Sequence, residues 1–320
     1  MATVTFSRKL PLNYTTSDLA LFEGEQKRIF DLPLERCATV SNVQLNYIFL
    51  FDPNKQKAFH NFGFYPIFNL GQKPTLGVRI KKKRVKLKQV NFVFDKNSNN
   101  YFHWMLEVLP RIVWLEENHP SNNPYVLPDY VENNPGFLFP LYKVVPKERI
   151  VFLKSDTLYT FEKCQLCATS YNSGNYNPSL LQQVKSQFLL NEQAPSRRFL
   201  VLRTGIRAFK NEPEIVTILS GLGFETVRFE NHTLEEQIAL IQDCECLIGA
   251  HGAGLTNMLF LNPAAKVIEC RFTDDSTNNC YFTLASDLNL AYYYLTCERS
   301  VDQLIVEPSE LYSLVKGIFS

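Results

Sequence analysis

Two groups of residues in this sequence have the types and spacing to do chemistry. The first is the turn Gly249-Ala250-His251-Gly252-Ala253-Gly254, small residues around one imidazole, set between two apolar runs. If the first run is a strand and the second a helix, the turn exposes unpaired backbone N–H groups at a helix start. Its small side chains then let an anion come close. The second group is His103, Glu107 and Arg111, spaced i, i+4 and i+8, which a helix brings near one face. An imidazole one turn from a carboxylate suits proton transfer, and the same spacing also makes an ordinary surface ion pair.

Three further positions complete the anion reading. Arg203 and Arg207 follow the apolar run 199–202, and a guanidinium fork matches phosphate oxygens. Glu269 closes another apolar run, where a carboxylate meets the ribose hydroxyls of a nucleotide or simply faces solvent. The turn itself is neither Gly-x-Gly-x-x-Gly nor a P-loop, because no Gly-Lys-Ser/Thr occurs. That disfavours an NAD-linked oxidoreductase. An esterase is disfavoured too, for want of a Gly-x-Ser-x-Gly elbow. No Asp-x-Asp is present, and Asp274-Asp275 stand adjacent in a polar loop, so no metal and no cofactor is expected.

The elements that must position these groups are legible in outline. Residues 1–95 read as strands and turns, with a buried strand at 90–94. Asn97 to Asn100 open a helix from about 101 to 117, in which Pro110 removes a hydrogen bond and predicts a kink. Short strands follow near 125–127 and 149–153, then a helix over 179–190. After the polar stretch 193–196 the rhythm becomes regular: strand 198–203, a helix opened by Pro213, strand 224–229, and a helix behind the capping box Thr233-Leu234-Glu235-Glu236. Strand 246–249, helix 254–261, strand 266–270 and a terminal helix over 308–319 complete it. Alternating strands and helices with short turns predict a parallel sheet wrapped by helices. The expected domains are 1–194 and 195–320.

The stretches 223–225, 236–238 and 248–257, with Phe260 and Val267-Ile268-Glu269, resemble the C-terminal region of glycosyltransferase family 61. Arg203, Arg207, Asn211 and Glu212 look like that family's basic stretch ending in Asn-Glu, with Ala208 where a second basic residue would be expected. Residues 100–104, Glu107 and Leu109-Pro110-Arg111 look like its His-Trp helix. The resemblance covers roughly residues 90 to 270. It implies an α/β, GT-B-like fold of two Rossmann-like domains facing a cleft. It also implies inverting transfer of a sugar from a nucleotide-diphosphate donor, commonly a UDP-sugar, to a glycan or polysaccharide acceptor. On that reading His103 is the base and Glu107 orients it, or the roles are exchanged. Arg203, Arg207, Asn211, His251, Gly252, Ala253, Gly254, Leu255 and Glu269 hold the donor, with helix dipole and arginines replacing a metal. The alternative is a non-catalytic nucleotide- or glycan-binding module.

Composition agrees with a globular chain and excludes little else. Of 320 residues 45% are apolar, and the net charge of +1 gives no pull toward nucleic acid. The run Lys81–Lys88 alternates basic and apolar at its end. It reads as an edge strand guarded by lysines, or as a surface for an anionic membrane or acidic acceptor. Eight scattered cysteines read as reduced, with Cys164-x-x-Cys167 lacking a second pair at zinc spacing. With no signal-like or membrane-length apolar run, the expected location is cytoplasmic, with or without membrane association.

Overall fold

The computed structural model describes residues 2–46, 49–53, 57–58, 83–169, 171–188, 194–263, 265–273 and 278–320. Contacts divide the chain into two compact units, Met1–Val4 with Phe30–Ser173, and Thr5–Ile29 with Gly174–Ser320. Near the N-terminus, β1 (Thr3–Ser7) and β2 (Lys27–Asp31) form a two-stranded sheet, with helix α1 (Leu19–Gln26) between them in sequence.

The first unit is built on a mixed sheet. Its strands are β3 (Glu35–Asn46), β4 (Phe49–Asp52), β5 (Lys57–Ala58), β6 (Lys83–Phe92), β7 (Tyr125–Pro128), β8 (Ile150–Leu153) and β9 (Thr157–Thr169), in the order β5-β4-β3-β9-β6-β7-β8. β9, β6, β7 and β8 run parallel, whereas β3, β4 and β5 pair antiparallel. Helix α2 packs on this sheet. It is α-helical over Tyr101–His103 and Leu109–Asn118, and Trp104–Val108 between them form a π-turn. Pro110 supplies the reason. It has no N–H to give, and its ring would strike the carbonyl four residues back, so the preceding turn widens and Leu109 N–H bonds to Trp104 O instead. Short helices α3 (Asp129–Glu132) and α4 (Pro135–Val144) complete the unit.

The second unit is the regular one. Its strands are β10 (Arg197–Val201), β11 (Phe224–Val227), β12 (Cys244–Ala250), β13 (Lys266–Phe272), β14 (Ala291–Ser300) and β15 (Gln303–Ile305), in the order β11-β10-β12-β13-β14-β15. All pairs are parallel except β14–β15. The helices are α5 (Pro178–Ser186), α6 (Glu212–Ser220), α7 (Leu234–Gln242), α8 (Cys280–Asp287) and α9 (Pro308–Phe319). Thr233 and Glu236 cap α7 reciprocally, as their spacing predicts. One face of the sheet buries Leu200, Leu202, Ile248, Ala250, Ile268 and Cys270 against Ile215 and Leu219 of α6 and Leu311 and Val315 of α9. Helices on both faces explain why these strands read as continuous apolar runs.

Some expectations change. Residues 19–26 form a helix where strands and turns are expected, and the thirteen residues of β9 form a strand for which no expectation stands. The segment expected as a helix from Gly254 is a 3₁₀ helix, Ala253–Phe260. The compact units divide after Ser173 rather than at 194/195, because α5 packs with the second unit. There Lys185 Nζ donates to Leu261 O, and Phe188 meets Phe260 edge to face with ring centroids 5.3 Å apart. Residues 5–29 join the same unit through Arg8, whose Nε and Nη2 bond both oxygens of Asp287 at 3.1 and 3.0 Å. Among the described residues, no helix is long and apolar enough to cross a membrane.

Candidate functional site

The strand order of the second unit creates a particular place. β10 lies between β11 and β12, so the chain leaves β10 toward one side of the sheet and β12 toward the other. At such a switch point the two connecting loops separate and leave a crevice beyond the strand ends, where open α/β sheets bind ligands. Val201 and Gly249 are paired there. The loop after β10 carries Arg203 and Arg207, and the loop after β12 carries His251, Gly252, Ala253, Gly254 and Leu255.

The small residues have specific neighbours. Leu255 is buried over Gly249, where a Cβ would lie 3.1 Å from its Cδ2. Gly254 approaches the Val201 side chain, which a Cβ would meet at 3.2 Å. Gly252 is the tightest, because a Cβ there would sit 2.0 Å from Nη1 of Arg203. The glycine thus seats the Arg203 guanidinium against the backbone of the turn after β12. Among the described residues Arg203 makes no hydrogen bond or ion pair. Half-burial and the neighbouring Arg207 cation both push against its charge, more than Glu230 restores. An arginine with no ion-pair partner among the described residues and a second cation beside it is a site of positive potential that an anion would relieve.

Arg207 sits in the left-handed region at φ 61°, with its N–H bonded to Asp302 O at 2.5 Å. A non-glycine residue held there by a fixed contact is strain of the kind that gathers at functional loops. Position 208 is alanine because it is buried under β15, with its carbonyl bonded to Leu304 N–H. Asn211 is placed differently from the expectation of donor contact. Its Nδ2 donates to Val306 O at 2.8 Å and its Oδ1 accepts from Val306 N at 3.2 Å, so the amide clasps the chain beyond β15.

His251 and Glu269 meet across the β12–β13 pair. His251 is 3% exposed, Glu269 is fully buried, and Nδ1 of the ring contacts Oε1 of the carboxylate. The second oxygen accepts from the Tyr292 hydroxyl at 2.5 Å. Burial alone would raise the Glu269 carboxyl, but His251, Arg271 and the Tyr292 hydroxyl outweigh it and hold it below the usual glutamate range. Tyr281 of α8 packs edge-on to the imidazole at 4.9 Å. Both oxygens of Glu269 are therefore engaged within the protein, which places it to orient His251 rather than to face solvent or reach a ribose.

In the first unit, His103 Nδ1 lies 3.0 Å from Glu107 Oε2, an ion-pair contact without in-line hydrogen-bond geometry. Glu107 is further held by the Ser173 hydroxyl and by Arg111 Nη2 at 4.0 Å. Arg111 is buried and also donates to Val93 O and Asp95 Oδ2 at 3.0 and 3.3 Å. Burial works against its charge, and the carboxylates of Asp95 and Glu107 outweigh that. Glu107 is thus fixed from three sides, while 21% of the His103 side chain remains exposed. That arrangement suits an oriented imidazole that exchanges a proton.

A family model described as Glycosyltransferase 61 matches residues 101–268, from the first residue of α2 to the one before Glu269. The chain belongs to the glycosyltransferase 61 family. It is 30% identical over 124 residues to an EGF domain-specific O-linked N-acetylglucosamine transferase of Drosophila melanogaster, covering 38% of this chain and 24% of that protein. It is 32% identical over 110 residues to a beta-1,2-xylosyltransferase of Oryza sativa subsp. japonica, covering 32% and 19%. A human protein O-linked-mannose beta-1,4-N-acetylglucosaminyltransferase 2 is 25% identical over 237 residues, covering 63% and 40%. The chain thus spans well under half the length of each of these relatives.

Within this glycosyltransferase 61 chain, the residues missed by sequence reasoning are Tyr281, Tyr292, Arg271 and Ser173. Glu269 and Arg271 alternate with the apolar Ile268, Cys270 and Phe272 along β13. That period-2 pattern marks a polar second face, but nothing local names its partners. Gln237, one of the residues carrying the family resemblance, bridges Phe229 O and His232 O to the Asn257 amide. It braces the loop and makes no site of its own. Lys83 and Lys86 of the basic run pair with Asp156, just before β9, and Glu162 of β9 at 2.9 Å each, and Lys81 and Lys82 lie outside the described residues. Cys164 and Cys167 are three apart on a strand and so point to opposite faces, unable to share a metal. Among the described residues no group of three His, Cys, Asp or Glu is gathered to hold one; Asp274 and Asp275 lie outside them.

Proposed function

We propose that this chain catalyses transfer of a sugar from a nucleotide-diphosphate donor, a UDP-sugar, to a glycan acceptor, with inversion at the anomeric carbon. The observation that carries the donor half is Arg203, which has no ion-pair partner among the described residues and is seated on Gly252 at the β10/β12 switch point, near Arg207. Family membership and the transferases it resembles support sugar transfer as the reaction.

In this reading the leaving diphosphate lies on the backbone of Gly252 to Leu255, with the two guanidiniums on its oxygens. These charges stabilise the pyrophosphate as the glycosidic bond breaks, the role a divalent cation fills in metal-dependent transferases. His103, oriented by Glu107, takes the proton of the attacking hydroxyl. The proposal includes a GT-B-like arrangement in which the unit bearing His103 serves the acceptor and the unit bearing Arg203 serves the donor. It also includes no requirement for a metal.

The test is UDP release from a panel of UDP-sugars, with and without glycan acceptors. Slow release that is lost in Arg203→Ala and in His103→Ala is the expected result. Normal UDP binding with no turnover of any donor on any acceptor would refute the enzyme and leave a binding module.

A further inference from the structure

We propose that Cys37 of β3 and Cys167 of β9 are a dithiol pair that a low-molecular-weight disulfide, such as oxidised glutathione, converts to a reversible cross-strand disulfide. The pair lies wholly within the first unit and does not depend on the sugar-transfer reading. All eight cysteines read as reduced from their scatter along the chain, and all eight are free in the structure. Only the strand register singles out these two.

The register decides which thiols can meet. β3 and β9 pair antiparallel without a slip, from Glu35 opposite Thr169 to Asn46 opposite Leu158, and Cys37 is directly opposite Cys167. Directly opposed residues send their side chains to the same face of the sheet. Their Cα atoms lie about 4.5 or about 5.5 Å apart, according to whether the two exchange backbone hydrogen bonds. Either distance falls inside the range of about 4.4–6.8 Å that a disulfide spans. A slip of one residue would turn the sulfurs to opposite faces, and a long ladder with buried side chains resists it. Among the described strand pairings no other two cysteines are opposed. Cys164 faces Val40 and Val90, and its side chain leaves the sheet on the side away from Cys167. Cys270 faces Leu295, so Cys297 lies two residues further along β14, a diagonal of about 8 Å that only backbone movement would close.

The surroundings set the order of events. Cys37 is half-buried and Cys167 is buried, so an oxidant reaches Cys37 first. Gln165, two residues before Cys167 and on the same face, donates from Nε2 to Cys37 Sγ at 3.1 Å. Burial pushes the Cys37 thiol up, and the Gln165 amide opposes it. Burial also pushes the Cys167 thiol up, against the Arg111 guanidinium, while Cys37 and Glu35 act with burial. Both groups stand as thiols at neutral pH, so exchange is slow. The Cys37 thiolate attacks one sulfur of oxidised glutathione, breaking its S–S bond and releasing one glutathione thiolate. The Cys167 thiolate then attacks Cys37 Sγ in the mixed disulfide, forming the protein S–S bond and releasing the second. The two thiol protons and two electrons leave in two molecules of glutathione. The Leu109–Asn118 part of α2 packs on β9 and carries Arg111, which holds Glu107. The bond therefore ties β3 to the strand on which that helix rests.

The test is disulfide mapping on the full chain. The folded protein is held in oxidised glutathione, its remaining thiols are blocked with N-ethylmaleimide, and peptides are analysed by mass spectrometry without reduction. The expected result is one cross-linked peptide pair joining Cys37 to Cys167, lost after dithiothreitol, with the other six cysteines alkylated. Because the bond closes a loop of about 130 residues, the oxidised protein should also melt about 3–8 °C higher than the reduced one. Cys37→Ser should abolish the link and the rise in melting temperature, and Cys164→Ser should keep both. Alkylation of all eight cysteines after oxidation would overturn the proposal. So would glutathione retained on Cys37 with Cys167 free, or a link made through any other pair. The mapping on wild type decides the matter even if a variant fails to fold.

Discussion

Replacing Gly252 by alanine separates the function of the anion turn from its folding. The backbone there is extended, with φ 161° and ψ 177°, a conformation any residue adopts, so alanine brings no dihedral strain. What it does bring is a methyl group 2.0 Å from Nη1 of Arg203. Restoring an ordinary contact of about 3.5 Å moves the guanidinium by roughly 1.5 Å, and the moving atom is the far end of a flexible side chain. The stability change should therefore stay within about 0.5 kcal/mol. Phosphate binding should not be spared, because a shift of that size breaks a charge-assisted hydrogen bond worth about 1.5–3 kcal/mol. UDP affinity should fall about 10- to 100-fold. Calorimetry gives the affinity and thermal melting gives the stability. The same substitution made in Arg203→Ala should cost nothing further, since the two changes remove one interaction. Normal UDP affinity in Gly252→Ala would refute Arg203 as a phosphate ligand. Equal losses in the single and double backgrounds would show that the turn needs glycine for another reason.

Other outcomes follow from the same geometry. Arg207→Gly should fold as well as wild type or slightly better, because φ 61° suits glycine, yet bind UDP about tenfold more weakly; Arg207→Ala should bind as weakly and melt lower. Glu107→Gln should cut transfer by about 10²- to 10⁴-fold in kcat with UDP affinity unchanged, since it disturbs His103 and no donor contact. A parallel loss of UDP binding would remove Glu107 and His103 from the base role. EDTA treatment should leave transfer unchanged, and a strict requirement for Mn²⁺ would refute the assignment of pyrophosphate stabilisation to the arginines and the turn.

The sequence by itself determined what short-range chemistry encodes. The capping box at Thr233 and Glu236, the apolar runs of β10, β12 and β13, the terminal helix and the turn of small residues after β12 are all legible, because each depends on residues a few positions apart. Pro110 announces an irregular helix, though not that the irregularity is a π-turn. Pairings set by strand order were not legible. Glu269 reads as a strand end, and only the parallel register of β12 with β13 turns it into the partner of His251, eighteen residues away. Tyr292 joins them from β14, and Arg203 reaches Gly252 only because β10 and β12 are neighbours at the switch point. Asn211 reads like a ligand-binding residue, and the contact with Val306, 95 positions on, makes it a clasp. Residues 5–29 join the distant second unit through Arg8 and Asp287, which are 279 positions apart. Local propensity fixes a turn or a cap. Which side chains share one buried space is decided by long-range packing, which no window along the chain contains.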